Sequence, residues 1–514
     1  MVTTIKELLQ EIKKYDNRTA FRFKTGKDAV RDVSYAEFAK DVESLGAHIC
    51  TKGLAQKHIA ILSENRYEWI VCYMAITCSG LVAVPIDRDL PEEAILYLLK
   101  ESDACAVFYS DVYADFIEKS NLDCYVNLDS PQYTEALTSC ESSKDGCAQF
   151  AESNVVGDSL AGILFTSGTT GFSKGVMLTH KNITSNIYAA TAYEKYGEHE
   201  VLFSVLPYHH AFECTVGLLA SLTFGATICI NDSIKYFSKN LAFYKPTAMF
   251  SVPAIINAMH KKAQSAEKKV GKLIAKAGIK KAFGGNLNRI FSGSAPLKPE
   301  LIEAFKRYGV DLCQGYGLTE TSPVVTMTVY DRLNSENIYS VGQVVPGCEV
   351  KIVDKEIWVK GDNVMKGYYK NPEATNEAFD GEWFKTGDLG YFDNDGFLYI
   401  NGRKKNVIIA SGGENVYPEE IEQFLYSIQG VADAMVYGDG DDSSIVSAII
   451  LPDYEKLAKK SEEQIKDIIT KAIDEVNKKL PLYKHIVNIK FRKTDFEKTT
   501  ARKIKRNENN TKEI

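Results

Sequence analysis

The stretch from Leu164 to His180, LFTSGTTGFSKGVMLTH, gathers the groups that handle anions. It holds Gly168 and Gly171, the hydroxyls of Thr166, Ser167, Thr169 and Thr170, and Lys174, all after an apolar run. A Walker loop sets its lysine directly against the second glycine, with a hydroxyl next for Mg²⁺. Here two residues separate Gly171 from Lys174, and Gly175 stands where that hydroxyl would be. Backbone N–H and side-chain O–H donors on such a loop can still wrap an anion, and a lysine adds a point charge. On this stretch alone a phosphate cradle and an ordinary polar turn both stay open.

Four further stretches follow in order: GYGLTETSP (Gly315–Pro323), TGDLG (Thr386–Gly390), GRKKNVI (Gly402–Ile408) and KTTARKIKR (Lys498–Arg506). Taken with the opening loop, they resemble the adenylate-forming superfamily of acyl-CoA synthetases, adenylation domains and luciferases, over nearly the whole chain. LPYHHAFE, YKPTAMFSVPAII and RIFSGSAPLKPELIEAF running into QGYGLTETSPVV most resemble the long-chain fatty-acid–CoA ligases. Such an enzyme makes a carboxylate attack the α-phosphate of ATP. Two anions must meet, so positive charge and donors have to be concentrated there.

The resemblance implies roles residue by residue. Thr166, Ser167, Gly168, Thr169, Thr170, Gly171 and Lys174 would grip the β- and γ-phosphates. Glu320 would ligate Mg²⁺ as a hard oxygen donor, and Thr319 would touch phosphate. Gly293, Ser294, Ala295 and Pro296 would wall the adenine together with Gly315, Tyr316 and Gly317, an aromatic face and close backbone suiting a flat base. Asp388 would accept the ribose hydroxyls, and Arg403 would make a second ATP contact. Lys503 would bring its ammonium to the attacking carboxylate and the α-phosphate. His210 would stand near the acyl carboxylate, with His209 the weaker candidate. Lys405 aligns with a hinge position, and Gly412 and Gly413 of the SGGEN loop (Ser411–Asn415) would let CoA pass the backbone. Taken singly, Glu320, Asp388 and Arg403 would be solvated charges and His210 a structural histidine. Their place within ordered motifs promotes them. Two positions depart from the family pattern: Glu497 where proline is frequent, and Arg502 for glycine.

The elements that must position these residues are alternating α and β. AGILF (161–165) predicts a buried strand feeding the opening loop. YMAITCSGLVAVPI and GLLASLTFGATICI each run from an apolar helix through Gly80 or Gly225 into a strand, which suggests two related α/β layers. Trp69 to Ile86 has no charge over eighteen residues, the lower limit for a membrane span. Ser79-Gly80 and the proline-stopped LVAVP instead predict a buried helix and then a buried strand. From about Val341, short β-rich runs with turn signals at Asn394-Asp395-Gly396 and Asn401-Gly402 predict a small β-rich subdomain. YPEEIEQFLYSI and DIITKAIDEVNKKL predict helices beyond it. The expected organisation is an N-terminal AMP- and acyl-binding domain over 1–401, a hinge at 402–405 and a mobile C-terminal α/β domain over 406–514.

Composition frames the reading. At 514 residues the chain exceeds one core, and its 45% apolar and 25% charged residues are those of an ordinary globular protein. A net charge of −7 argues against nucleic acid as the main partner. Eleven cysteines with no C-x-x-C pair read as reduced cytosolic thiols. Lys261–Lys281 carries eight lysines and one acid. A solvated helix face is the plain reading, and weak peripheral membrane contact is the alternative, which liposome flotation of a Lys→Glu variant would separate. The resemblance implies an AMP-forming carboxylate–CoA ligase for a medium- to long-chain fatty acid, using ATP, Mg²⁺ and coenzyme A. Transfer to a carrier-protein thiol and an aromatic or other acid substrate are the alternatives.

Overall fold

In the computed structural model the uncharged run becomes a helix, Tyr67–Cys78, in which every residue except Glu68 is buried. Gly80 follows at φ 78°, and the strand Val82–Pro85 is buried throughout. The run is therefore core. Among the described residues no helix is long and apolar enough to cross a membrane. The structure describes residues 1–511 apart from 27–28, 55–56, 121, 143, 167–172, 194–195, 296, 330–332, 335, 411, 441–442, 459, 499–503 and 507–509.

The chain divides into two compact units. The first comprises Met1–Glu349 with Val359–Phe384 and holds the two expected α/β layers. One layer is a seven-stranded sheet in the order Gly367–Tyr368, Lys174–Thr179, Leu160–Thr166, Val82–Pro85, His58–Leu62, Ala104–Tyr109, Cys124–Asn127. Its first two pairings are antiparallel and the rest parallel. The other is nine-stranded, with a parallel centre of Asp311–Gly317, Arg289–Ser292, Ala248–Ser251, Val201–Ser204, Thr227–Ile230 and Thr19–Lys24. A largely parallel sheet needs helices on its faces. Ile5–Ile12, Tyr35–Cys50, Tyr67–Cys78 and His180–Thr191 supply much of that cover, and most of their buried apolar residues share one core with Phe21, Leu218 and Leu219. Each large side chain fully buried there contributes about 1.5–3 kcal/mol.

The second unit comprises Val350–Trp358 with Lys385–Ile514. Its β-rich part is built on the antiparallel pair Trp383–Phe392 and Leu398–Arg403, the texture expected after Val341. A two-stranded ribbon, Ile408–Ile409 with Asn415–Val416, precedes the helix Pro418–Ser427. A three-stranded sheet of Val431–Asp439, Ile445–Pro452 and Asn488–Phe491 then packs with Glu462–Asn477. Ser461 starts that last helix as one half of a capping box with Gln464.

Two local features differ from expectation. The segment ahead of Gly225 is a π-helix over Phe212–Ala220 rather than an α-helix. Among the described residues nine cysteines are free, but Cys147 is disulfide-bonded, so the all-thiol reading does not hold for every cysteine.

Candidate active site

The opening loop springs from a hairpin. Leu160–Thr166 pairs antiparallel with Lys174–Thr179, and Thr166 lies opposite Lys174 at its mouth. The Thr166 hydroxyl donates to the Lys174 carbonyl at 3.4 Å. The tip residues Ser167, Gly168, Thr169, Thr170 and Gly171 lie outside the described residues. Across the hairpin runs the short strand Gly367–Tyr368, with Tyr368 opposite Val176 and the Tyr369 N–H donating to the Gly175 carbonyl at 2.8 Å.

That strand delivers a residue absent from the sequence-based candidates. The Lys174 ammonium sits over the Tyr368 ring, 4.8 Å from its centroid, a cation–π arrangement. The Tyr368 hydroxyl donates to Glu320 Oε1 at 3.0 Å. Glu320 is also held through its backbone, its carbonyl accepting the Met365 N–H at 2.8 Å. Lys174, Tyr368 and Glu320 thus form one cluster, although the sequence spreads them over nearly two hundred residues. The nearest signal was GYYK, whose tyrosines look like ordinary core.

Glu320 and Thr319 open a one-turn helix, Thr319–Thr321, directly after the strand Asp311–Gly317. Gly315, Tyr316 and Gly317 close that strand, paired with Met327, Thr326 and Val324. At Gly317 a Cβ would fall 1.7 Å from the Pro323 carbonyl oxygen, so no other residue fits this turn. Gly293 and Ser294 follow the neighbouring strand Arg289–Ser292, with Ser294 left-handed at φ 70°. Gly293 packs against the Phe212 ring, and Ala295 is half-buried. Pro296 lies outside the described residues. Both halves of the expected adenine wall therefore stand at the carboxyl ends of adjacent parallel strands, where open α/β sheets bind ligands.

His210 and His209 precede the π-helix with their rings 4.2 Å apart. The His210 carbonyl accepts the Cys214 N–H at 3.0 Å, which ties the pair to the first turn. His209 Nε2 lies 3.6 Å from Asp87 Oδ1, and burial with the neighbouring His210 holds its pKa well below the usual histidine range. The two histidines fall in the same exposure class, each partly buried.

In the second unit Asp388 and Arg403 face each other across the strand pair. Arg403 Nε lies 2.7 Å from Asp388 Oδ1, and its Nη1 donates to the Thr386 carbonyl at 3.1 Å. Glu356, another residue not foreseen, braces this corner. Its Oε1 accepts the Gly387 N–H at 3.1 Å, and its Oε2 pairs with Lys404 at 2.9 Å. Lys405 is exposed in the turn Lys404–Asn406. Gly412 and Gly413 are exposed where the ribbon turns, and Ser411 beside them lies outside the described residues. So does Lys503. Every described lysine side chain of 261–281 is exposed.

The fold thus gathers Lys174, Tyr368 and Glu320 in one cluster and sets Gly293–Ser294 and Gly315–Gly317 at neighbouring strand ends. The AMP-binding enzyme family matches residues 8–369, and the AMP-binding enzyme C-terminal domain matches residues 405–512. The long-chain-fatty-acid–CoA ligase FadD15 of Mycobacterium bovis is 31% identical over 474 residues, covering 82% of this chain and 78% of that one. Fatty acyl-CoA synthetase B of Dictyostelium discoideum is 29% identical, covering 91% and 80%. ATP-bound MatB from Rhodopseudomonas palustris superposes with a TM-score of 0.81 at 26% identity, covering 99% and 98%. The o-succinylbenzoate CoA synthetase MenE of Bacillus subtilis with AMP gives 0.78 at 23%, covering 99% and 98%, which supports the fold. The chain belongs to the AMP-binding enzyme family. It is an acid–CoA ligase of the adenylate-forming type, with a carboxylate, ATP and CoA as substrates and Mg²⁺ as cofactor.

Proposed function

We propose that the acid is a medium- to long-chain fatty acid, joined to CoA through an acyl adenylate with release of pyrophosphate and then AMP. The 31% identity to a long-chain-fatty-acid–CoA ligase over 82% of the chain carries this reading. In it, Lys174 and the loop hydroxyls hold the β- and γ-phosphates. Tyr368 sets the direction of both Lys174 and Glu320.

The donor set suits Mg²⁺. Among the described residues no cluster of three or more His, Cys, Asp or Glu side chains could cage a metal. Mg²⁺ is usually held by one or two carboxylates together with substrate phosphates and water, and a lone, fixed Glu320 fits that habit. When bound, the ion neutralises phosphate charge as the carboxylate approaches. Tyr316 and the Gly293–Ser294 turn pack the adenine, Asp388 takes the ribose with Arg403 keeping its carboxylate oriented, and His210 faces the acyl carboxylate. Lys503 stabilises the charge that builds on the α-phosphate during attack. Residues 402–405 serve as the pivot between the two half-reactions, with 1–401 and 406–514 as the parts that move.

Pyrophosphate release across a panel of carboxylates, with and without CoA, tests the substrate class. The expected result is a CoA-independent burst followed by CoA-dependent turnover, fastest with fatty acids of intermediate to long chain. A preference for aromatic acids, or turnover that needs a carrier-protein thiol in place of CoA, would overturn it.

A further inference from the structure

Near the end of the chain two buried polar side chains make an arrangement that none of the roles above uses. Arg492 is 2% exposed and Asn510 is fully buried. The Asn510 carboxamide works in both directions. Its Oδ1 accepts the Glu497 N–H at 2.9 Å and Arg492 Nη1 at 3.1 Å. Its Nδ2 donates to the Glu497 carbonyl at 3.0 Å and to the Lys505 carbonyl at 2.6 Å. Arg492 meanwhile holds the carbonyls of Thr494 and Asp495 at 2.8 and 2.9 Å, and its guanidinium lies over the Phe496 ring.

These contacts close the two ends of one short loop. The Lys505 N–H donates to the Glu497 carbonyl at 2.9 Å, and Lys498 and Ile504 form an antiparallel bridge. Ile504 packs on Met435, Ile449 and Phe496. Arg506 fastens the outgoing strand with two bonds to Glu422 at 2.7 and 2.8 Å and one to the Val436 carbonyl at 2.6 Å. Lys498 fastens the incoming one to Asp433 and Asp495, both at 2.9 Å. Between the fixed Lys498 and the fixed Ile504 lie five residues, and Lys503 is the last of them.

We propose that Asn510 is a positioning residue for adenylation: its carboxamide clamps Glu497 to Lys505 and so fixes the residues that flank, on either side, the segment carrying Lys503. This rests on the reading of Lys503 as the adenylation lysine. Glu497 is part of the device. Proline, frequent at this place in the family pattern, has no N–H to give, whereas Glu497 donates one to Asn510. The departure from the pattern is thus one half of the clamp. A loop closed by hydrogen bonds at its base has fewer conformations for its tip to visit, and a displaced ammonium loses transition-state stabilisation more than it loses binding.

The test separates the half-reactions. Asn510→Ala removes every contact of the carboxamide, and Glu497→Pro removes its N–H contact while the carbonyl at position 497 stays available to it. Wild type and Lys503→Ala serve as references in the same two assays, single-turnover pyrophosphate release and thioester formation from supplied acyl-AMP. Asn510→Ala should slow the first about tenfold with KM for ATP unchanged, Glu497→Pro should slow it by less, and the second should stay within about twofold. Slow Lys503→Ala with normal adenylation by both clamp variants would overturn the clamp alone. Equal loss in both half-reactions would do the same, marking a merely structural role. If Asn510→Ala does not fold, Glu497→Pro decides on the same criteria. Lys503→Ala adenylating like wild type would instead remove the group that the clamp serves, and both readings would fall.

Discussion

Tyr368 gathers two chemical groups with one side chain: its ring under Lys174 and its hydroxyl on Glu320. Tyr368→Phe keeps the ring and deletes only the hydroxyl. A buried hydrogen bond to a charged partner contributes about 1.5–3 kcal/mol, so adenylation should fall roughly tenfold or more while thermal stability changes little. Steady-state kinetics beside a melting curve checks this, and unchanged kinetics would show that Glu320 needs no such brace. Lys174 and Glu320 were legible as candidates because each sits in a motif with a recognisable pattern. Tyr368 was not, since its importance comes from one strand pairing, Tyr368 with Val176, that no local spacing encodes. Glu356 escaped for the same reason: its partners are Gly387, inside the strand Trp383–Phe392, and Lys404, in the turn after Leu398–Arg403.

Among elements, the continuous apolar runs came out as expected, Tyr67–Cys78 and Leu160–Thr166 among them. The π-helix Phe212–Ala220 did not. Apolar periodicity cannot distinguish one extra residue in a turn. Glu213 is 1% exposed, its Oε1 bonded at 2.5 Å to the Ser204 hydroxyl. Gly217 leaves the room it needs, because a Cβ there would lie 2.8 Å from Glu213 Cδ. Burial pushes the Glu213 pKa up to about 8 from its ordinary 4.5, with the Ser204 bond opposing. The folded state thus binds this proton more tightly than the unfolded chain does. Its contribution to stability is complete below pH 4.5, declines as pH rises from there, and is gone above about 8, a swing on the order of a few kcal/mol. Glu213→Gln cannot ionise. Melting temperatures measured from pH 5 to 9 should therefore show wild type losing ground to the variant as pH rises, and parallel curves would contradict the buried neutral carboxyl.

For the whole molecule, the sequence-based outline of a large α/β part with a small β-rich part and an α/β end matches the fold. Lys385–Lys404 belong to the same compact unit as the C-terminal residues. Within that unit Gly402 lies against Glu419 and Tyr417, so the proposed pivot at 402–405 carries packing of its own. The candidate chemistry is shared out: Lys174, Tyr316 and Glu320 belong to the first unit, Asp388, Arg403 and the base of the Lys503 loop to the second. The most direct measurement is the pair of half-reaction rates for Lys503→Ala. Carboxylate-dependent pyrophosphate release should fall by about a hundredfold or more, in line with losing a group aimed at transition-state charge, while acyl-AMP supplied with CoA is converted to thioester at close to the wild-type rate. Equal loss in both half-reactions, or adenylation at the wild-type rate, would contradict the account.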